Sequence, residues 1–331
     1  MKILFIGGTG IISSACAQLA LDRGHDLHLL NRGQTTKRPV PAGARLLIGN
    51  ARDPESLRLT LGSHSFDAVV DWIAFTPMHI QQDLDAFRGR AGQFVFISSA
   101  SAYQTPPASL PVTESTLLDN PYWEYSRNKI ACEEMLVRAY RETKFPITIV
   151  RPSHTYDHTL FPFSGGYTVL GRMRAGKPVI VHGDGTSLWV LTHHRDFAVG
   201  LVGLLGNPRA LGEAVHLTSD EWLNWNQIFG IVGSTGGATP KIVHIPSDFI
   251  ARFDPDWGAG LLGDKATSMV FDNTKIRRLV PDFHPIIPFA QGAREIVAWH
   301  DADPARPVMD AALDARMDEI IRRYETAFLG A

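Results

Sequence analysis

The chain opens with Met1-Lys2-Ile3-Leu4-Phe5-Ile6 running straight into Gly7-Gly8-Thr9-Gly10-Ile11-Ile12-Ser13, and this stretch restricts the possible folds more than any other. A short apolar run that ends in glycines and passes into a segment of helical spacing reads as strand, tight turn, helix. Lacking a Cβ, the glycines let the backbone turn sharply and approach a pyrophosphate. The helix that follows aims unpaired N–H groups and the positive end of its dipole at that anion. Helical spacing continues through Ile12, Cys16, Leu19 and Ala20, and Gly24 ends the helix as a C′ glycine does. A second strand, Asp26-Leu27-His28-Leu29-Leu30, follows at once and completes the unit on which dinucleotides bind. Such turns elsewhere merely reverse a chain; position at the first strand–helix junction gives the dinucleotide reading its weight.

Further strands read at Arg45–Asn50, Phe66–Ala74, Gln93–Ile97 and Phe145–Val150, the last after a helix from about Tyr125 to Thr143. Apolar runs separated by helices indicate parallel strands covered on both faces, hence an α/β, Rossmann-type doubly wound sheet. With 331 residues the chain can form two lobes. Residues 1–155 are expected to form the dinucleotide-binding domain, completed by returns near 188–230 that include a strand at Ala214–Leu217. Residues 156–331 are expected to be mainly a smaller α/β substrate lobe, ending in a helix from about Ala311 to Ala327. Loops such as Ser153–His158 stand where ligands meet an α/β sheet.

Composition excludes several classes of function. Hydrophobic residues make up 44% and charged residues 20%, as in soluble globular proteins, and no apolar run is long enough to span a bilayer. A cytoplasmic location with no membrane partner is expected. A net charge of -2 with scattered basic residues offers no general attraction to nucleic acid. Cys16 and Cys132 lack paired spacing and read as reduced core residues. His193 and His194, adjacent in what reads as a strand, would face opposite sides, so no metal site is expected.

The second strand ends at Asn31-Arg32-Gly33, without the acidic residue that holds ribose hydroxyls in many NAD sites. Asn31 would not repel a 2′-phosphate, and Arg32, with Lys37 and Arg38 nearby, could pair with one, which favours NADP over NAD. The chemistry is expected where the fifth strand runs into Ser98-Ser99 and a helix opens with Tyr125-Ser126-Arg127-Asn128-Lys129. Tyr125 and Lys129 share a helical face, so the ammonium can lie near the phenol and lower its pKa. A tyrosine so tuned exchanges a proton with a substrate oxygen that Ser99 holds, while hydride moves to or from a nicotinamide.

Together with Arg151-Pro152, Gly183-Asp184-Gly185, Asp196, Asp272-Asn273-Thr274-Lys275 and Trp299, these motifs make the chain resemble, over nearly its whole length, the extended short-chain dehydrogenase/reductase superfamily and its sugar-nucleotide epimerase-like branch. The resemblance implies that Tyr125 is the acid/base, that Lys129 holds the ribose and tunes Tyr125, and that Ser99 positions the substrate oxygen. It implies Gly7, Thr9, Gly10, Ile11 and Ile12 along the pyrophosphate, Asn31 and Arg32 at the adenosine ribose, and Asn50 and Ala51 near the adenine. Ile73, Ala74 and Pro152 would lie beside the nicotinamide half. It also implies a homodimer formed through the helix that bears Tyr125.

Departures from the family pattern bear on the substrate. Ser13 replaces the third glycine, and Asn50 stands for an aspartate. His154 takes the place of an asparagine, and Trp189 the place of an arginine that would clamp a diphosphate. Loss of that clamp suggests a substrate other than a nucleotide sugar, with His154 and Trp189 facing it; Trp189 reads equally as core. Arg172, Arg174 and Lys177 read as phosphate contacts or as a solvated helix face. The expected function is NAD(P)-dependent hydride transfer at a secondary alcohol or ketone of a sugar-like small molecule, with epimerisation placed ahead of net oxidation or reduction. RNA binding, which some proteins of this branch perform, and cofactor sensing without turnover are the competing classes.

Overall fold

The computed structural model describes residues 1–34, 38–306 and 309–329. Seven parallel strands form the central sheet. Lys2–Ile6 (β1), Asp26–Asn31 (β2), Arg45–Ile48 (β3), Ala68–Asp71 (β4), Phe94–Ile97 (β5) and Ile147–Pro152 (β6) are joined at the far edge by Ala214–Leu217, in the order β3-β2-β1-β4-β5-β6 and then that returning strand. The order reverses between β1 and β4, which opens a crevice beyond their carboxyl ends, where ligands of such sheets bind.

Alternation along β1 explains why both faces are covered. Ile3 and Phe5 enter one cluster with Cys16, Ala17 and Ala20 of the first helix, α1 (Ile11–Asp22), while Leu4 and Ile6 enter another with Leu57, Ile80 and Leu136. Three further helices cover that second face: α2 (Pro54–Leu61), α3 (Pro77–Phe87) and α4 (Glu124–Thr143). Gly24, at φ +75°, follows the Arg23 cap and ends α1 as the sequence suggested. Cys16 and Cys132 are both free and fully buried.

The second half has its own core, built around Trp189, Trp225, Phe229 and Ile296. Its elements include the strands His154–Tyr156 (β7), Pro178–His182 (β8) and Leu188–Trp189 (β9), with the helices α5 (Gly166–Arg174) and, at the end of the chain, Ala311–Leu329. Three local expectations change. β6 runs on through Arg151 and Pro152, because the Arg151 guanidinium is buried against Glu133 of α4 at 2.6 Å and needs no solvent. His193 ends a strand and His194 opens a helix, so the two rings lie 4.5 Å apart instead of on opposite sides. Arg172 is fully buried and held by Asp314 and Asp318 of the last helix, so it belongs to no solvated face. No helix among the described residues is long and apolar enough to cross a membrane.

Candidate active site

The β1–α1 turn requires glycine at its first two positions. Gly7 and Gly8 have φ of +102° and +96°, a region that residues with side chains avoid. A Cβ on Gly8 would stand 2.7 Å from Leu29, and one on Gly7 would press on Trp72 and Ile73. Ser13, buried where a third glycine is the pattern, accepts the Gly10 N–H through its hydroxyl at 2.7 Å, so the substitution is absorbed within the turn. Above the turn lies a cavity of about 800 Å³. Gly7, Thr9, Gly10, Ile11 and Ile12 border it at the turn, Asn31 and Arg32 at the end of β2, and Asn50, Ala51 and Ile73 along the far strands. The first turn of α1 carries no acidic residue to oppose an anion. In size, glycine cradle and helix terminus, these residues fit a dinucleotide.

Ala74 differs from its expected place. It is buried outside the cavity lining, and its carbonyl accepts a hydrogen bond from Lys129. Among the basic residues near β2, Arg32 borders the cavity, whereas Arg38 does not and is held by Asp157 at 2.7 Å and by Thr159. Lys37 lies outside the described residues.

A second cavity, of about 350 Å³, adjoins the first and shares Ile12, Trp72, Phe75 and Ile97 with it. Ser99, Tyr125, Lys129, Pro152, His154 and Trp189 all border this space. Ser99 follows β5 and accepts the Ser101 N–H at 3.1 Å, and Ser101 in turn takes a hydrogen bond from Ser126 of α4. Strand end and helix start are thereby fixed to each other, with Tyr125 in the first turn of α4.

Lys129 is not among the groups that shift the Tyr125 phenol in this structure. Its ammonium donates to the carbonyls of Ala74 at 2.7 Å and Ile97 at 2.8 Å, and it lies 5.6 Å from the centre of the Tyr125 ring. Burial lowers its pKa to about 8. Burial likewise pushes the Tyr125 phenol up to about 12; the Ser99 hydroxyl draws it back only in part, and the Asp264 carboxylate adds to the rise. The phenol is therefore protonated near neutral pH. His154 is held neutral, near a pKa of 3, by burial and by the Lys265 ammonium.

The model of the NAD dependent epimerase/dehydratase family matches residues 3–217, well over half of the chain. The chain belongs to that family. Across its relatives the family spans more than one activity. The chain is 27% identical over 290 residues to the 2′-dehydrokanamycin reductase of Streptomyces kanamyceticus, covering 86% of this chain and 80% of the relative. It is 24% identical over 263 residues to the chloroplast stem-loop binding protein of 41 kDa b of Arabidopsis thaliana, covering 75% and 67%. Among solved structures, UDP-glucuronic acid 4-epimerase from Bacillus cereus, in complex with UDP-glucuronic acid and NAD, shares the fold at a TM-score of 0.73 and 19% identity, over 90% of this chain and 98% of that one.

Within this family fold, several residues at the site carried no sequence signal. Trp72 and Phe75 form the join between the two cavities, and Trp123, Asp264, Lys265 and Phe271 wall the smaller one. Trp123 lies only two residues before Tyr125, so proximity to the motif could have marked it. Asp264 and Lys265 come from a part of the chain with no motif, and tertiary folding alone brings them in. Trp189 turns out to be both of its alternatives: it is packed beside Trp225 in the lobe core and it borders the cavity.

Proposed function

We propose that this protein is an NAD(P)-dependent enzyme that moves hydride at a secondary alcohol or ketone of a sugar-like small molecule, and that its net reaction is oxidation–reduction, running toward reduction of a ketone. The observation that carries this reading is the junction of the glycine cradle with a cavity bordered by Ser99, Tyr125 and Lys129. A bound nicotinamide dinucleotide supplies and accepts the hydride. The chain's own residues manage the oxygen. Ser99 Oγ accepts the Ser101 N–H and lies 2.9 Å from the Ser101 hydroxyl; with Ser101 as donor in that pair, the Ser99 proton is available to the substrate carbonyl. Tyr125, kept protonated by burial, gives its phenolic proton to the same oxygen as that oxygen gains charge.

Epimerisation is the second reading, since epimerases belong to the same family. It requires the oxidised ring to present its other face before hydride returns, while a remote part of the substrate stays tethered. No arginine lines the smaller cavity among the described residues, and Trp189 stands where a diphosphate clamp was expected. That favours a reaction completed in one hydride transfer. Arg32 at the cradle, with no acidic side chain at the end of β2, supports NADP as the preferred cofactor.

The test is a Tyr125→Phe variant assayed with both dinucleotides. Turnover is expected to fall by about 10²–10⁴-fold while dinucleotide affinity stays unchanged. Undiminished turnover would refute the assignment of Tyr125. Reduced cofactor consumed in step with product supports net reduction, whereas turnover without change in the cofactor pool would establish epimerisation.

A further inference from the structure

The wall of the smaller cavity opposite Ser99 and Tyr125 is a short π-helical turn, Leu261–Lys265. Its position is fixed by neighbours on both sides. The Gly263 carbonyl accepts a 2.6 Å hydrogen bond from Asn120 Nδ2, which also donates to the Ser101 carbonyl. The Lys265 carbonyl accepts from the His182 ring at 3.0 Å and from the Ser187 hydroxyl at 3.0 Å. A Cβ at Gly263 would stand 2.8 Å from Trp123, so the turn is seated directly on the segment that leads into α4. The side chains of Asp264 and Lys265 are thus presented to the cavity by a backbone held in place before any ligand arrives.

Those side chains are paired with each other. Asp264 Oδ2 lies 3.1 Å from Lys265 Nζ, and the ammonium sits 5.6 Å and 5.7 Å from the ring centres of Trp123 and Trp189. Among the described residues, Oδ1 of Asp264 and both ring nitrogens of His154 have no hydrogen-bond partner. Apart from Lys129, which is occupied by two carbonyls, Asp264 and Lys265 are the only charged side chains lining this cavity among the described residues, and they cancel. A phosphate there would face the Asp264 carboxylate, and an ammonium would face Lys265. A hydroxyl suits both, because it donates to a carboxylate and accepts from an ammonium, and neutral His154 adds one donor and one acceptor. Trp123 and Trp189 offer flat apolar surface to the C–H face of a ring. The volume of about 350 Å³ is near the lower end of the ~300–1,000 Å³ range of small-molecule pockets.

We propose that Asp264 and Lys265, with His154, are specificity-determining residues that select an uncharged polyhydroxylated ring not attached to a nucleotide, a free monosaccharide or cyclitol, by bridging its hydroxyls. This rests on the hydride-transfer reading of the same cavity. The test titrates the dinucleotide-loaded protein with glucose and myo-inositol as neutral probes, with glucosamine as a cationic one and with UDP-glucose as a nucleotide-linked one, followed by saturation-transfer NMR. The neutral probes are expected to bind best, and Asp264→Asn and Lys265→Met are each expected to weaken them by on the order of tenfold while leaving dinucleotide affinity intact. Preference for glucosamine or UDP-glucose, no binding of either neutral probe, or variants that bind neutral probes as the wild type does would each overturn the proposal. The ranking of probes on the wild type decides the matter even where a variant fails to fold. Failure of the hydride-transfer reading shows separately, as a wild type that binds no dinucleotide or a Tyr125→Phe variant that retains full turnover.

Discussion

At the scale of single residues, Lys129 offers a measurable consequence of burial. Its pKa of about 8 lies below the 10.5 of an exposed lysine, so above pH 8 the folded chain has released a proton that the unfolded chain still binds. Stability contributed by this group therefore rises with pH between those two values, and below pH 8 the full cost of burying the charge is present. Relative to Lys129→Met, the wild type is expected to gain on the order of 2–3 kcal/mol between about pH 7 and about pH 10, read from urea unfolding at each pH. An unchanged difference between the two proteins would mean that Lys129 is not desolvated. The same residue marks the limit of what spacing reveals. Ser99, Tyr125 and Lys129 were legible as a group because a strand end and a helical face place them near one another. The sign of the phenol's shift was not, since it is set first by the burial of Tyr125 in the folded chain and then by Asp264, far off in sequence.

At the scale of elements, the strands and helices of the sheet were legible because β1 and its neighbours are continuous apolar runs bounded by glycine or polar residues, and the parallel sheet needs nothing else to specify it. Gly8 shows how strictly that first junction is set. With φ at +96° and Leu29 2.7 Å from a would-be Cβ, Gly8→Ala is expected to cost roughly 1–3 kcal/mol and to weaken dinucleotide binding, measured by denaturant midpoint and cofactor titration. The second half was less legible, and α5 shows why. Arg172 and Lys177 look like a surface cationic group in sequence, but Asp314 and Asp318, far along the chain, pair with both, and Arg172 becomes core. A residue's charge announces no partner at that separation. Arg172→Leu is expected to destabilise the fold by about 2–3 kcal/mol, because it removes charge-assisted bonds to two acids and to the Pro178 carbonyl; a denaturation midpoint equal to that of the wild type would contradict this.

At the scale of the whole molecule, an ion pair ties the segment after β2 to the segment after β7. Arg38, in the segment after β2, is bound to Asp157, beyond β7, and Asp157 is 1% exposed, so the Arg38 guanidinium holds its carboxyl below the usual range. Arg32 and Gln34, which border the larger cavity, precede Arg38 in the sequence. The expectation is that the bridge fixes where Arg32 and Gln34 stand, although Arg38 does not itself border the cavity. A dinucleotide that binds only the folded chain at about a hundredfold over its Kd adds about 2.7 kcal/mol of stability, enough to raise Tm by several degrees. Arg38→Ala is expected to lower Tm and to reduce that ligand-induced rise, and Asp157→Asn is expected to do the same to a similar degree, since either change releases the segment. If Arg38 met a 2′-phosphate directly, Arg38→Ala would weaken the rise for NADP alone and Asp157→Asn would leave it whole. Thermal melts of both variants with each dinucleotide therefore separate a bridge between the two segments from a contact with the ligand.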